Sequence, residues 1–162
     1  MKRLDKIRQH KVYQQCMAQI LEAERDRIYC RHGIDHALDV ARITYILCLE
    51  RGLPIERELI YAMALLHDLG RSKEYTEGTP HHQAGEVLAR EILEDCDFQP
   101  DEIAQICMAI RGHSRGNPGP ESQEPLREIL YQADKVSRPC YNCMARKTCY
   151  WSEDEKNMQI KY

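Results

Sequence analysis

The chain has 162 residues, a net charge of −3 and 43% hydrophobic residues, the size and balance of one domain with a real core. That slight acidity argues against a general nucleic-acid-binding surface, and no apolar run reaches the roughly 20 residues of a membrane helix. The basic start MKRLDKIRQHK is followed by no apolar stretch with a small-residue cleavage site, so the expected compartment is the cytoplasm.

The first expected helix covers about 4–29, with Val12, Cys16, Ile20 and Ala23 on one face. A second runs over about 34–51 and stops at Gly52-Leu53-Pro54. A third covers about 55–69, with Ile55, Leu59, Met63 and Leu66 at helical spacing. The polar, turn-rich stretch GRSKEYTEGTP reads as a loop. Pro80 then opens a fourth helix to about Glu94, since proline suits a first turn. Pro100-Asp101 opens a fifth, ending near Gly112. RGNPGPESQEP reads as a long loop, and a sixth helix spans about Pro125 to Val136. No segment sustains period-two alternation. The expected fold is an all-α, single-domain helical bundle with a cysteine-rich C-terminal tail.

Polar residues recur on the apolar stripes of these helices. His36 leads Val40, Ile43 and Leu47; Ile60 and Met63 lead to His67, with Asp68 beside it. His81 leads Gly85, Leu88 and Ile92; Ile106 and Ile110 lead to His113; Leu126 and Leu130 lead to Asp134. Residues spaced by three and four share one face, so five helices turn a His or Asp inward. One buried histidine alone reads as a satisfied core residue. Four His and two Asp together, short of basic partners on the same stripes, need a shared cation. Imidazole and carboxylate donors suit zinc, iron, manganese or nickel, and magnesium is a further candidate.

His36, the pair His67-Asp68, and Asp134 resemble the metal motif of the HD-domain phosphohydrolase superfamily. The frames DHALDVARI, ALLHDLGR and YQADKVSR around them are similar as well. The resemblance spans about 28–138, leaving 1–27 as an N-terminal helix and 139–162 as a tail packed on the same domain. It implies an all-α fold with a metal held by His36, His67, Asp68 and Asp134. Some members of that superfamily hold two metals with two further histidines, and His81 and His113 stand where those would be; His82 competes with His81. PHHQAG and AIRGHSRGNPG are similar to segments of the dinuclear members that hydrolyse diadenosine tetraphosphate.

The expected function is metal-dependent hydrolysis of a phosphate ester or anhydride, a nucleotide by preference, through a metal-activated water. Asp68 would bind metal and steer the nucleophile. Arg71, Lys73, Arg111, Arg115, Lys135 and Arg138 lie near the proposed ligands. Related HD sequences often carry basic residues at the places of Arg71 and Lys135, which makes these two the expected phosphate partners. Tyr75 reads as a surface tyrosine, with stacking on a base as the alternative. A regulatory module that binds a nucleotide without turnover, and a purely structural metal, are the competing readings. The first helix, outside the resemblance, is a candidate for homodimer contact.

Eight cysteines are many for such a chain; in a reducing compartment thiols or metal ligands are expected, not disulfides. Cys16, Cys30, Cys48, Cys96 and Cys107 lie scattered within helical patterns and read as small hydrophobes. Cys140, Cys143 and Cys149 form a C-x2-C-x5-C arrangement, and Cys30 is the candidate fourth ligand. A structural zinc, an iron–sulfur cluster and plain packed thiols all remain open for them.

Overall fold

A computed structural model describes residues 1–113 and 125–162. The helices are α1 (Lys2–Gln9), α2 (Lys11–Ala23), α3 (Ile34–Glu50), α4 (Arg57–Leu66), α5 (Arg71–Glu77), α6 (His81–Asp95), α7 (Pro100–Gly112) and α8 (Pro125–Val136). Among the described residues there is no strand. The fold is all-α, as expected. The expected 115–125 loop falls almost entirely outside the described residues.

The apolar stripes build the core. Val40 and Leu47 of α3, Ile60, Met63 and Leu66 of α4, Ile92 of α6, Ile106 and Ile110 of α7, and Leu130 of α8 are buried. Helix α3 packs on α4 and α8, α6 packs on α7, and α7 bridges to α4 and α8. Each of these helices therefore brings one face, and the polar residue on it, to the same interior. Helix α3 stops as its sequence requires. Gly52 adopts a left-handed φ of 65°, and Leu53 N–H bonds back to the Cys48 carbonyl at 2.9 Å, a glycine-terminated helix end.

Two expectations change. The single helix over 4–29 is two helices, because His10 takes an extended conformation (φ −63°, ψ 131°) and its Nδ1 accepts from the Val12 N–H at 3.3 Å. The break lets α1 fold back on α4, burying Leu4 and Ile7. Arg3 fastens it with hydrogen bonds to Glu58 (2.9 Å) and Glu102 (3.0 Å). On α2, Tyr13, Cys16 and Ile20 are buried, whereas Ala23 is exposed and Glu24 takes the inward place. The second change is α5, where a loop was expected. It is a short polar helix whose inward residue is the small, fully buried Ser72, its hydroxyl donating to the Leu69 carbonyl at 2.8 Å. Lys73–Glu77 (2.7 Å) pairs on the outer face, and Gly78 with φ 74° ends the helix. A helix of this length without a large apolar residue on its inner face carries no periodic signal.

Glu24 links α2 to the centre of the bundle. Its carboxylate accepts from the His32 backbone N–H at 2.8 Å, from the His32 ring, and from Tyr75 Oη at 2.6 Å. Burial pushes its carboxyl up, but the His32 and Tyr75 hydrogen bonds overcome this and hold it at about 2. A carboxyl depressed on folding stabilises above its unfolded value of 4.5, and the contribution is lost as pH falls towards the folded value. Glu24→Gln is therefore expected to flatten the acid side of the stability profile. By urea unfolding, wild type should lose on the order of 2–3 kcal/mol more than the variant over that acid range.

Candidate metal centre

The interior meeting point holds four imidazoles and two carboxylates. His36 lies in the first turn of α3, His67 and Asp68 in the turn that follows α4, and His81 at the start of α6. His113 caps the end of α7, and Asp134 lies in the last turns of α8. Donor atoms of His36, His67, Asp68 and Asp134 all lie within 4.8 Å of one another, as do those of Asp68, His81 and His113. Asp68 belongs to both sets. His36 Nε2 is 3.5 Å from Asp68 Oδ2 and 3.2 Å from Asp134 Oδ1; His67 Nε2 is 3.1 Å from Asp68 Oδ2. On the other side, His113 Nε2 is 4.0 Å from Asp68 Oδ1. His82 belongs to neither set; its ring stands beside His81, 5.8 Å between centroids.

Gly70 makes this convergence sterically feasible. Its φ of −64° is ordinary, so the requirement is space. A Cβ there would stand 1.9 Å from the His81 carbonyl oxygen and 2.4 Å from the Gly85 nitrogen. The backbone of α6 thus lies directly against the His67-Asp68 turn, and His81 reaches Asp68 because nothing separates them.

The hydrogen bonds decide what the imidazoles present to the interior. Nδ1 of His67 faces the Ala64 carbonyl at 2.7 Å, and Nδ1 of His113 faces the Ile110 carbonyl. A carbonyl only accepts, so both Nδ1 atoms carry the proton. Nδ1 of His81 donates to Glu74 Oε1 at 3.0 Å. The Ser137 hydroxyl donates to the Asp134 carbonyl at 2.7 Å and so accepts from His36 Nδ1 at 3.3 Å. All four rings have Nδ1 tied, and a tied outer nitrogen is what orients metal-binding histidines. Nε2 of His67 and of His113 faces Asp68. Nε2 of His36 lies 3.2 Å from Asp134 Oδ1 and also accepts from Arg138 Nη2 at 2.8 Å.

Two buried atoms, His67 Nε2 and Asp68 Oδ2, have no hydrogen-bond partner although they stand 3.1 Å apart. Two lone pairs face each other there, and only a positive charge between them relieves the cost. Burial pushes the Asp68 carboxyl up, yet His67, Arg71 and His32 hold it well below the ordinary carboxylate range. Asp134 is likewise pushed up by burial and held well below that range, first by its hydrogen bond with His36. Burial, helped by His67, pushes His113 down to about 4, so it stays a neutral imidazole near neutral pH. Burial pushes the His67 imidazole down, but the facing Asp68 carboxylate overcomes this and raises it, so without a metal a proton sits between the two. A divalent cation would take that proton's place, since neutral imidazoles and ionised carboxylates are the forms that ligate a metal. The donor set therefore fits a divalent cation, and the two overlapping sets offer places for two.

A cavity of about 420 Å³ opens onto His81, His113 and Asp134 of these sets. Arg71 and Lys135 line it with His81, His113 and Asp134, and Tyr131, Tyr150 and Trp151 form an aromatic wall. Arg71 Nε donates to Asp68 Oδ1 at 2.9 Å, and Lys135 Nζ donates to Asp134 Oδ2 at 3.2 Å. Lys135 Nζ also lies 5.2 Å from the Trp151 ring centre and 5.4 Å from that of Tyr131. The other expected cations among the described residues do not line this cavity. Lys73 pairs with Glu77 on the outer face of α5, and Arg111 pairs with Glu86 at 3.2 Å. Arg138 is buried against His36 and Asp134, and Arg115 lies outside the described residues. Tyr75 does not line the cavity; its hydroxyl bonds Glu24.

The sequence reading did not single out Glu74, Ser137, Tyr150, Trp151 or Glu155. Glu74 lies seven residues before the His81 it orients and Ser137 lies 101 after His36, separations that no local pattern reports.

The model of the HD domain family matches residues 33–138. An uncharacterized protein of Clostridium beijerinckii is 38% identical over 139 residues, covering 86% of this chain and 85% of that one. Ribonuclease Y 1 of Pediococcus pentosaceus is 26% identical over 109 residues, 67% of this chain but 18% of that protein. Among solved structures, a predicted HD superfamily hydrolase from an uncultured Thermotogales bacterium shares the fold, with a TM-score of 0.61 and 24% identity. That match covers 90% of this chain and 81% of the other.

Proposed function

The chain belongs to the HD-domain family, and from that premise we propose that it is a metal-dependent phosphohydrolase. Its substrate is a small phosphate ester or anhydride, a nucleotide by preference. The observation that carries the reading is the cavity itself. It joins inward-facing ligands, two cations suited to phosphoryl oxygens and an aromatic wall suited to a base, and a closed structural metal site would offer no such access.

His36, His67, Asp68 and Asp134 would hold one ion, and Asp68, His81 and His113 a second; Glu74 and Ser137 fix two of the rings. A bound divalent cation supplies a water of lowered pKa and neutralises phosphoryl charge. Arg71 holds Asp68 Oδ1 in place, and the unpartnered Oδ2 would serve the ion beside His67. Lys135 stands over the cavity to bind a phosphoryl oxygen, and Trp151 and Tyr150 offer faces for a base or another flat leaving group. One relative is named a ribonuclease, but here the slight negative charge and a cavity of about 420 Å³ suit a small substrate.

The test is elemental analysis coupled to a hydrolysis screen with manganese, iron, nickel, zinc and magnesium across nucleoside monophosphates, cyclic nucleotides and dinucleoside polyphosphates. Hydrolysis by the metal-loaded protein is expected. A full metal load with no turnover on any ester would favour a regulatory module. Lys135→Met is expected to lower kcat/KM roughly 100-fold while leaving metal content unchanged, which assays on the loaded variant will read.

A further inference from the structure

A second meeting of donors lies beside the first. Cys30 comes from the segment between α2 and α3; Cys140 and Cys143 bracket a short 3-10 turn, and Cys149 follows another. All four are free thiols and all four line one cavity of about 210 Å³. Cys140 is buried and the other three are half-buried. The Cys30 thiol is pushed up by burial; Arg138 opposes this, and Cys140, Cys143 and Cys149 add to it.

We propose that Cys30, Cys140, Cys143 and Cys149 hold an iron–sulfur cluster of the [4Fe–4S] type. A single zinc with bonds of 2.3 Å to four thiolates requires sulfurs only about 3.8 Å apart. Among the described residues, these four are absent from the sets whose donor atoms lie within 4.8 Å of one another. A four-iron cubane takes one thiolate on each iron and spreads its anchors wider. The charge also matches. Four thiolates around such a core leave it anionic, and Arg138, Arg146 and Lys156 line the same cavity.

The tail gives an independent reason. Residues 139–162 contain no α-helix and add only Cys140 and Ala145 to the buried hydrophobic residues, while Met144, Tyr150 and Ile160 are exposed. A segment with so little core needs a staple to hold one conformation. Asn157 supplies part of one, its Nδ2 donating to the Arg138 carbonyl at 3.0 Å and its own carbonyl accepting from Tyr141 N–H at 3.0 Å. Four thiolate bonds, each replacing an S–H proton, would supply the rest. The cluster is a neighbour of the metal centre. Trp151 lines both cavities, and Arg138 runs from the thiol cavity to Asp134 Oδ1 at 3.3 Å and His36 Nε2 at 2.8 Å. The assignment does not depend on the hydrolytic activity.

The test uses the full chain purified without oxygen and treated with ferric iron, sulfide and a thiol reductant, then desalted. Wild type is expected to turn brown and to retain about four acid-labile sulfides per chain, with about four irons beyond those that a Cys140→Ser/Cys143→Ser double variant keeps at the His–Asp centre. Cys143→Ser and Cys149→Ser should lose most of both while keeping the helical circular-dichroism spectrum. His67→Ala should keep the sulfide and the colour, which separates this site from the other metal. One zinc per chain without sulfide in wild type would overturn the proposal, as would reconstituted wild type that retains no sulfide. Unchanged iron and sulfide in a folded Cys140→Ser/Cys143→Ser double variant would overturn it equally.

Discussion

Asp68→Ala is expected to abolish hydrolysis and to empty both proposed metal positions. Asp68 is the residue shared by the two donor sets, so its removal takes a ligand from each. Loss of a residue that merely orients a ligand costs about 10–100-fold in metal affinity, and loss of the shared ligand should exceed that. The variant also leaves Arg71 without its 2.9 Å partner and His67 without the carboxylate that faces it. Thermal unfolding gives a readout apart from activity. A metal present at 100 times its dissociation constant stabilises wild type by about 2.7 kcal/mol, and this gain should vanish in the variant. Asp68→Asn, which keeps the shape and removes the charge, should behave alike. Turnover retained in either variant would end the proposed chemistry.

Gly70→Ala is expected to be the most damaging single-methyl change in the chain. The added carbon would stand 1.9 Å from the His81 carbonyl oxygen and 2.4 Å from the Gly85 nitrogen. Both are backbone atoms and cannot rotate away, so α6 must shift as a body. Overpacking commonly costs 1–3 kcal/mol, and a backbone clash this close should cost about 3 kcal/mol or more. Gly78→Ala is the contrast. It has a left-handed φ of 74° and nothing within 4 Å, so only its conformation resists the change, at about 1 kcal/mol. Urea unfolding of the two variants should separate contact from backbone conformation. In whatever Gly70→Ala protein folds, His81 is displaced from Asp68, and the second metal should bind more weakly than the first.

The helices that carry His36, His67, Asp134 and His113 were legible because each sits on a stripe of period 3.6, and a polar residue on such a stripe stands out. Gly70 was legible as a break, though its role is close approach to α6. What escaped lies where the signal is not periodic. Helix α5 buries Ser72 instead of a large apolar residue, and the break at His10 depends on a ring capping a turn. Glu74 and Ser137 act across space on rings that the stripes did reveal. Tyr75, which reads in the sequence as a surface tyrosine with base stacking as the alternative, gives its hydroxyl to the buried Glu24 carboxylate.

The aromatic wall over the cavity has a consequence for how such chains diversify. Tyr150 and Trp151 arrive from the segment that follows the helical frame, whereas the proposed metal ligands come from within it. Under the proposed function, water activation and leaving-group choice would therefore reside in separable stretches of chain. A relative that kept the frame and carried a different closing segment would inherit the reaction and acquire another clientele.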